Sequence, residues 1–263
     1  MIGFRLKFDN IPKYNLKDFL LNYISKFDFF EIKLTDKLIE EEKLGYVLEL
    51  SEKYSSGKYS IHLPKNFLDA EFDKDMRKNI IQHLRTFKHK SKISLILHFP
   101  LECESNFLNK LYELAKSLNG NYYVLLENER VGRFCLAYLK KMNDTIKYMI
   151  TIRKVQNVGV CFDIGHFQYG VLREEISQKT VQSYILNLSY FLQYIREYHI
   201  HDYNNERDHL QLKTGVMNLT EVSILITKRN KDIPFIIEVN IMNPDLDGKE
   251  QIKIVAQEIL TRG

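Results

Sequence analysis

The stretch GVCFDIGHFQYG, residues 159–170, starts as an apolar strand and turns polar where the strand should end. Its apolar residues run directly into Asp163, and His166 follows three positions later. A carboxylate at the end of a buried strand is unfavourable unless it is paired with other polar or charged groups. This stretch therefore predicts a strand with a polar site at the point where it ends.

Seven other short runs have the length and residue types of strands, namely IGFRLKF, FFEIKL, YSIHL, ISLILHF, YYVLLE, IREYHIH and FIIEV. Segments with helical spacing lie between them, for example in residues 16–24, 107–115 and 181–191. Strands that alternate with helices predict βα units around a parallel sheet, and eight units in 263 residues predict closure into a barrel. We therefore predict an α/β fold, with residues 1–263 forming a single (β/α)8 TIM barrel.

Two details of this prediction are specific. The segment from Lys65 to His89 is interpreted as a loop followed by one polar helix, which places His83 and His89 in that helix. The core is predicted to include apolar residues of the fifth, sixth and eighth strands, namely Val124, Leu125, Val160, Ile236 and Ile237.

Composition narrows the class of protein. No segment approaches 18 uninterrupted apolar residues and the start has no long apolar run, so we expect a cytoplasmic protein that does not enter membranes. The three cysteines are far apart, which is typical of reduced thiols. A net charge of +4 with scattered lysines makes no case for nucleic acid, although it permits an anionic substrate. Whether the chain forms a homodimer is left open.

Polar residues recur at the predicted strand ends, where a barrel of this kind builds its active site. Six of the eight histidines lie at or just after such ends. In chain order the polar residues at the strand ends are His62, His98, Glu127, Asp163 with His166, His199 with His201 and Asp202, His209, and Glu238. Imidazoles and carboxylates that converge from separate strands predict a divalent-metal site.

Each residue taken alone has an ordinary structural interpretation. A single His at a strand end is more often a hydrogen-bonded barrel residue than a ligand, and a lone Glu there often pairs with Lys. Ligand-type residues at consecutive strand ends favour a metal site over chance. His199 and His201 fall on the same face of their strand, so periodicity does not choose between them, and only one need be a ligand.

These residues resemble the xylose-isomerase-like barrels, which include sugar and sugar-phosphate isomerases, epimerases and apurinic-site DNA repair enzymes of the endonuclease IV type. The resemblance extends from FFEIKL through IHLP, LLEN, GVCFDIGH and YHIHDYNNERDHLQLKTG to IIEV. His199 is preferred over His201 because the family's ligand stands three residues before an acidic residue, here Asp202. The resemblance implies a metal held by four residues, Glu127, Asp163, His199 and Glu238, with His166 binding substrate or an additional metal.

Two departures from the family pattern bear on function. The repair enzymes hold a third metal with an Asp-x-His pair, whereas this chain has Arg207, Asp208 and His209, with Arg where the Asp would align. The LGxG turn of the family is LKTG here, with Lys213 in place of a glycine. We interpret Arg207 and Lys213 as groups that bind substrate oxygens or a phosphate. Asp208 reaching inward from its loop would restore the third site.

The leading hypothesis is a metal-dependent isomerase or epimerase of a small sugar or sugar phosphate, with Glu127 and Glu238 as proton-transferring bases. The ion is divalent, and Zn, Mn, Co and Mg are left open. The alternative is an endonuclease IV-like phosphodiesterase acting at apurinic sites in DNA. Its additional metal ligands would be His62, His98, His166 and His209. A barrel that has lost its chemistry and serves as a binding protein is the third hypothesis.

Overall fold

Eight parallel strands form a closed barrel in which each strand pairs with its sequence neighbour and the last pairs with the first. The computed structural model describes residues 1–8, 11–25, 27–40, 43–55, 57–103, 105–204, 207–219, 232–239 and 249–255, and the remainder of the predicted domain lies outside these ranges. The strands are β1 Ile2–Leu6, β2 Phe29–Lys33, β3 Tyr59–His62, β4 Ile93–His98, β5 Tyr122–Glu127, β6 Val158–Asp163, β7 Ile195–Ile200 and β8 Phe235–Ile237. The predicted (β/α)8 barrel is confirmed.

Helices follow the strands and cover the outside of the barrel. Within the described residues they are α1 Leu16–Ile24, α2 Asp36–Glu40, α3 Leu44–Ser55, α4 Lys74–Thr86, α5 Ser105–Ser117, α6 Cys135–Thr151, α7 Ile164–Arg173, α8 Gln178–Asn187, α9 Ser189–Gln193 and α10 Lys249–Val255. A short 3-10 turn, Lys13–Asn15, precedes α1. No helix in these ranges is long and apolar enough to cross a bilayer.

The apolar core lies mainly between the strands and the helices, because alternate strand residues point outward. All five predicted core residues are buried. Val124, Val160 and Ile237 belong to the large outer cluster, whereas Leu125 belongs to a separate small cluster with Ile96 and Cys161. TIM-barrel interiors are usually filled by branched apolar side chains. Here the interior residues nearer the carboxyl ends of the strands are largely charged or polar, as described below.

Two helix predictions differ from the structure. The polar helix predicted after Lys65 begins only at Lys74, because the Asp73 carboxylate caps its first turn by accepting from Met76 N at 2.7 Å. It ends at Thr86, so the prediction that His89 lies in this helix is wrong. The helical spacing over residues 181–191 spans two helices, α8 and α9, separated by the non-helical backbone of Leu188.

Strand register brings the polar ends together. His98 lies beside Glu127 across the β4–β5 pair, and Asp163 lies beside His199 across the β6–β7 pair. The β6–β7 register shifts by one residue between Val160 and Cys161. This irregularity sets which residues of β7 face Asp163, because a one-residue slip turns every side chain to the other face.

Candidate metal and active site

The four residues predicted to hold a metal converge at the carboxyl end of the barrel. Glu127 ends β5, Asp163 ends β6, His199 lies in β7, and Glu238 directly follows β8. One ligand atom from each lies within 4.8 Å of the others, and all four side chains are buried. We call these residues the quartet. The structure therefore brings the predicted set within reach of one ion, although its role in binding an ion stays a prediction.

The DIGH motif, residues 163–166, is explained by its local geometry. Asp163 is the N-cap of α7, and its Oδ1 accepts from the backbone N–H of His166 at 2.8 Å. A side chain at Gly165 would collide with the imidazole of His201, since a Cβ there would lie 2.5 Å from its Cε1. The glycine thus allows His201 to pack against the first turn of α7, where its Nε2 is 3.3 Å from Asp163 Oδ1.

Asn128 fixes the backbone of Asp163. Its Nδ2 donates to Asp163 O at 2.8 Å, and its Oδ1 accepts from Asp163 N at 2.9 Å. The Asn128 carbonyl also accepts from His166 Nδ1 at 3.1 Å. This role of Asn128 was not predicted, although the residue directly follows Glu127 in the LLEN motif that carries the family resemblance.

His62 and His98 form a second group with Glu127. His62 Nε2 and His98 Nδ1 lie 2.9 and 3.2 Å from Glu127 Oε2. His98 Nδ1 is also 2.8 Å from Glu129 Oε1, and Glu129 in turn pairs with Lys65 at the rim. His62 and His98 therefore lie beside the quartet. This is the position that their predicted role as ligands of an additional metal requires.

His166, His201 and His209 form a third group, which we call the histidine group. Asp208 faces it, with its Oδ1 2.9 Å from His209 Nδ1 and its Oδ2 3.9 Å from His166 Nε2. Arg130 Nη1 lies 3.0 Å from the same Asp208 carboxylate. Asp208 therefore does reach inward, the arrangement that the sequence left open.

Arg207 and Lys213, the predicted substrate-binding residues, are both exposed. The Arg207 backbone N–H donates to Asn204 Oδ1 at 2.9 Å in the loop after β7. Asp202 organises this loop, since its carboxylate accepts from the backbone N–H groups of Tyr203, Gly215 and Met217. Within the described residues, neither Arg207 nor Lys213 lines the cavity above the quartet or the chamber beside it, both described below, so their roles stay predictions.

Three charged residues beneath the quartet were not predicted from sequence: Glu31 and Glu197, which are buried, and Arg5, whose side chain is 8% exposed. Arg5 forms ion pairs with Glu31 and Glu238, and its Nη2 is 3.2 Å from His199 Nδ1. His199 Nε2 lies 3.1 Å from Glu31 Oε2 and 3.5 Å from Glu197 Oε1. The sequence contains a signal for these residues, because each occupies a position in its strand whose side chain points into the barrel.

The electrostatics of the site favour ionised carboxylates. Burial alone would raise the pKa of Glu127, but the charges of His98 and further neighbouring histidines outweigh burial and hold it well below its usual value. The pKa of Asp163 is lowered in the same way, with His166 and His201 outweighing burial. The Glu127 and Asp163 carboxylates are therefore ionised at neutral pH.

Two imidazoles each place a nitrogen lone pair beside a carboxylate oxygen. A cation bound between the nitrogen and the oxygen would be coordinated by both. Burial, with a contribution from Arg5, lowers the pKa of His62 to about 4, so this ring is neutral at pH 7. His62 Nδ1 donates to the Leu63 carbonyl at 2.9 Å, which leaves a lone pair on Nε2. That lone pair faces Glu127 Oε2 at 2.9 Å. A divalent ion accepts both as ligands, and the carbonyl fixes the ring orientation.

His209, like His62, is a neutral imidazole with a nitrogen lone pair beside a carboxylate. Burial and the charge of His201 lower the pKa of His209 to about 4, and its two nitrogens lie 2.9 Å from Asp208 Oδ1 and 3.0 Å from Glu238 Oε2. A neutral ring has one N–H to donate, so one contact joins a lone pair to a carboxylate. Asp163 Oδ2, His201 Nε2 and Glu238 Oε1 are also buried and make no hydrogen bond of regular geometry in the described structure, although Glu238 Oε1 lies close to Arg5 and His199 and His201 Nε2 lies close to Asp163. The residues present therefore fit a divalent metal.

A cavity of about 350 Å³ opens above the quartet. Glu127 and Glu238 line its floor, and the basic residues Lys33, Lys65 and Arg130 lie in its wall. A second chamber of about 650 Å³ adjoins it and shares Lys65 and Arg130. The cavity thus combines acidic groups at its floor with basic groups in its wall, a distribution suited to a small polar or anionic ligand.

Comparisons with known proteins agree with this architecture. The sequence profile described as xylose isomerase-like TIM barrel matches residues 69–259, more than half of the chain. Among solved structures, D-psicose 3-epimerase from Clostridium cellulolyticum H10, crystallised with D-tagatose, is similar with a TM-score of 0.56 and 13% sequence identity. The similarity covers 98% of this chain and 95% of that chain. No curated protein sequence shows significant similarity.

Proposed function

Because the chain belongs to the xylose isomerase-like TIM barrel family, we propose that it is a divalent-metal-dependent isomerase or epimerase of a small sugar or sugar phosphate. The observation that carries the proposal is the placement of Glu127 and Glu238. Both belong to the quartet and both face the cavity, so two bases and a metal site would meet one bound substrate. The sugar epimerase with a similar fold is consistent with this class of substrate.

The quartet would hold the ion, with His199 oriented from behind by Glu31, whose Oε2 is 3.1 Å from His199 Nε2. A carboxylate behind a metal-binding imidazole is the usual support for such a ligand. When bound, a divalent ion would supply Lewis acidity toward a carbonyl and the neighbouring hydroxyl of the substrate. Zn, Mn, Co and Mg all remain candidates for this ion.

Proton transfer is assigned to the two glutamates. Glu127 and Glu238 approach from β5 and from the end of β8, so each carboxylate can take or return a proton at the same substrate carbon from its own side. His166 lines the cavity and would orient substrate oxygens, as predicted from sequence. Lys33, Lys65 and Arg130 would bind the phosphate of a sugar phosphate.

Metal analysis combined with isotope exchange tests the proposal. Elemental analysis of the purified protein is expected to give one or two divalent ions per chain. Ketoses, aldoses and their phosphates would then be incubated with the protein in D₂O. Deuterium incorporated next to the carbonyl carbon of one sugar is the expected result, since proton transfer through a solvent-exchanging carboxylate introduces it. Absence of metal, or absence of exchange across the whole panel, would contradict the proposal.

A phosphodiesterase is retained as a second candidate because Asp208 faces the histidine group. One of the sequence arguments against this function is the arginine at position 207 where an aspartate would align, beside the modest net charge and the lack of clustered basic residues. The position of Asp208 beside His166 and His209 weakens the first of these arguments. With His62, His98 and Glu127 as another group, three adjacent sets of ligands are available. Three ions clamping a phosphodiester is the arrangement expected of a multinuclear hydrolase, with apurinic-site DNA as its predicted substrate.

Paired alanine variants distinguish the two candidates. Under the isomerase proposal, we expect Asp208→Ala to leave the metal content unchanged, because the quartet does not include Asp208 and Arg130 already neutralises its charge. Arg207→Ala, the matched control in the same loop, should also keep the metal content of wild type. If Asp208→Ala loses one ion per chain while Arg207→Ala does not, the hydrolase assignment is favoured instead. Elemental analysis of all three proteins provides the measurement.

A further inference from the structure

Arg5 places a permanent positive charge against the quartet. The residue lies on β1 with its side chain inside the barrel, only 8% exposed. Its guanidinium forms ion pairs with Glu31 and Glu238, and Nη2 lies 3.7 Å from Glu127 Oε1. The group therefore contacts one carboxylate below the quartet and approaches two carboxylates within it.

The same quartet atoms are those that an ion would need. Arg5 Nη2 contacts Glu238 Oε1 and lies 3.2 Å from His199 Nδ1. His199 Nδ1 is itself 2.5 Å from both Glu127 Oε1 and Glu238 Oε1. A guanidinium remains protonated at any pH that a folded protein tolerates, so its charge opposes the arrival of a second cation at these atoms.

We propose that Arg5 is a built-in counter-ion of the quartet, which pairs with Glu238 in the metal-free protein and must release it when a divalent ion binds. This inference rests on the proposed function, since it requires an ion at the quartet. Arg5 keeps Glu31 as its partner after release, because that carboxylate lies below the quartet. The consequence is a lower affinity for the ion than four such ligands would otherwise give, and a site that retains its shape when metal is absent.

Measurement of Mn²⁺ binding to Arg5 variants tests this competition. Titration of metal-stripped protein, with free Mn²⁺ followed by electron paramagnetic resonance, gives a dissociation constant that does not depend on turnover. We expect Arg5→Met to bind Mn²⁺ about 10- to 100-fold more tightly than wild type, because removal of a cation within about 4 Å favours another cation in a buried site. Arg5→Lys, which keeps the charge, should bind with an affinity close to that of wild type.

A second comparison, between Glu31→Gln and a double variant that also carries Arg5→Met, tests the same competition if Arg5→Met alone does not fold. The single variant Glu31→Gln removes a negative charge and should weaken Mn²⁺ binding. The double variant with Arg5→Met and Glu31→Gln removes one charge of each sign and should bind more tightly than Glu31→Gln alone. Equal affinity of Arg5→Met and wild type, or of the double variant and Glu31→Gln, would overturn the counter-ion role. Failure of wild type to bind Mn²⁺ or any other divalent ion would instead contradict the proposed function.

Discussion

The variant Glu238→Gln is expected to fold like wild type and to lose about 10²- to 10⁴-fold in kcat on its sugar substrate, the range typical of a lost general acid or base. Glutamine has nearly the same volume as glutamate and fills the same buried position, which is 3% exposed. The amide cannot accept a proton from carbon, and it removes one anionic ligand from the quartet. Both effects act on turnover rather than on packing.

Stability of the metal-free Glu238→Gln protein should change little. The Glu238 carboxylate contacts Arg5 and His209, but it also lies near the negatively charged Glu127. Loss of the attractive contacts is therefore partly offset by relief of repulsion between carboxylates, and Arg5 keeps its ion pair with Glu31. Urea unfolding of metal-stripped protein measures this change, and it should be small compared with the effect on kcat.

A matched control is available on the barrel surface. Glu113 lies on α5 with its side chain exposed, so Glu113→Gln makes the same chemical change far from the quartet. Its kcat and metal content should equal those of wild type. A Glu238→Gln protein that converts the substrate at the wild-type rate would rule out proton transfer by Glu238 and leave Glu127 as the only glutamate of the quartet to serve as a base.

The strands and the polar residues at their ends could be predicted from sequence because each depends on local information, whereas the choice of the quartet among those residues came from the family resemblance. A run such as VGVCFD specifies a strand by residue type, and the barrel topology then brings the carboxyl ends of all eight strands to one face. Glu127, Asp163 and Glu238 stand at or directly after strand ends, so their meeting follows from topology alone. No knowledge of side-chain packing was required for this step.

Loop geometry and interior charge could not be predicted in the same way. Whether Arg207 or Asp208 faces the cavity depends on the path of the loop after β7, which is fixed by backbone hydrogen bonds to the carboxylate of Asp202. Arg5 and Glu31 form an ion pair from β1 and β2, with Glu238 and His199 as their further partners, and a buried charge of this kind is stable only when such partners are present. A single charged residue within an apolar strand carries no indication of its partner.

We expect two roles for Asp163, metal ligand and helix cap, and a pair of variants separates them. Its carboxylate belongs to the quartet, and its Oδ1 also caps α7 by accepting from His166 N. Asp163→Asn keeps an oxygen that can cap the helix but removes the charge, whereas Asp163→Ala removes both. We expect both variants to lose more Mn²⁺ affinity than the roughly 10- to 100-fold typical of replacing a residue that merely supports a ligand.

The two variants should differ in stability rather than in metal binding. Metal-free Asp163→Ala is expected to have a free energy of unfolding about 0.5–2 kcal/mol below that of Asp163→Asn, the usual cost of losing an N-cap. Asp73 provides the control, since it caps α4 by accepting from Met76 N and its side chain is exposed. Asp73→Asn and Asp73→Ala should show the same difference in stability with unchanged Mn²⁺ affinity.

The two Asp163 variants also test each assignment separately, that of Asp163 as a metal ligand and that of Asp163 as the cap of α7. If Asp163→Asn binds Mn²⁺ as tightly as wild type, Asp163 is a helix cap and not a ligand, and the ion must be held by the remaining groups around Glu127. If Asp163→Ala is as stable as Asp163→Asn, the contact with His166 N contributes nothing and the carboxylate is kept for its charge alone. Both assignments fall on one side chain because Asp163 ends β6, caps α7 and lies within reach of the other quartet residues.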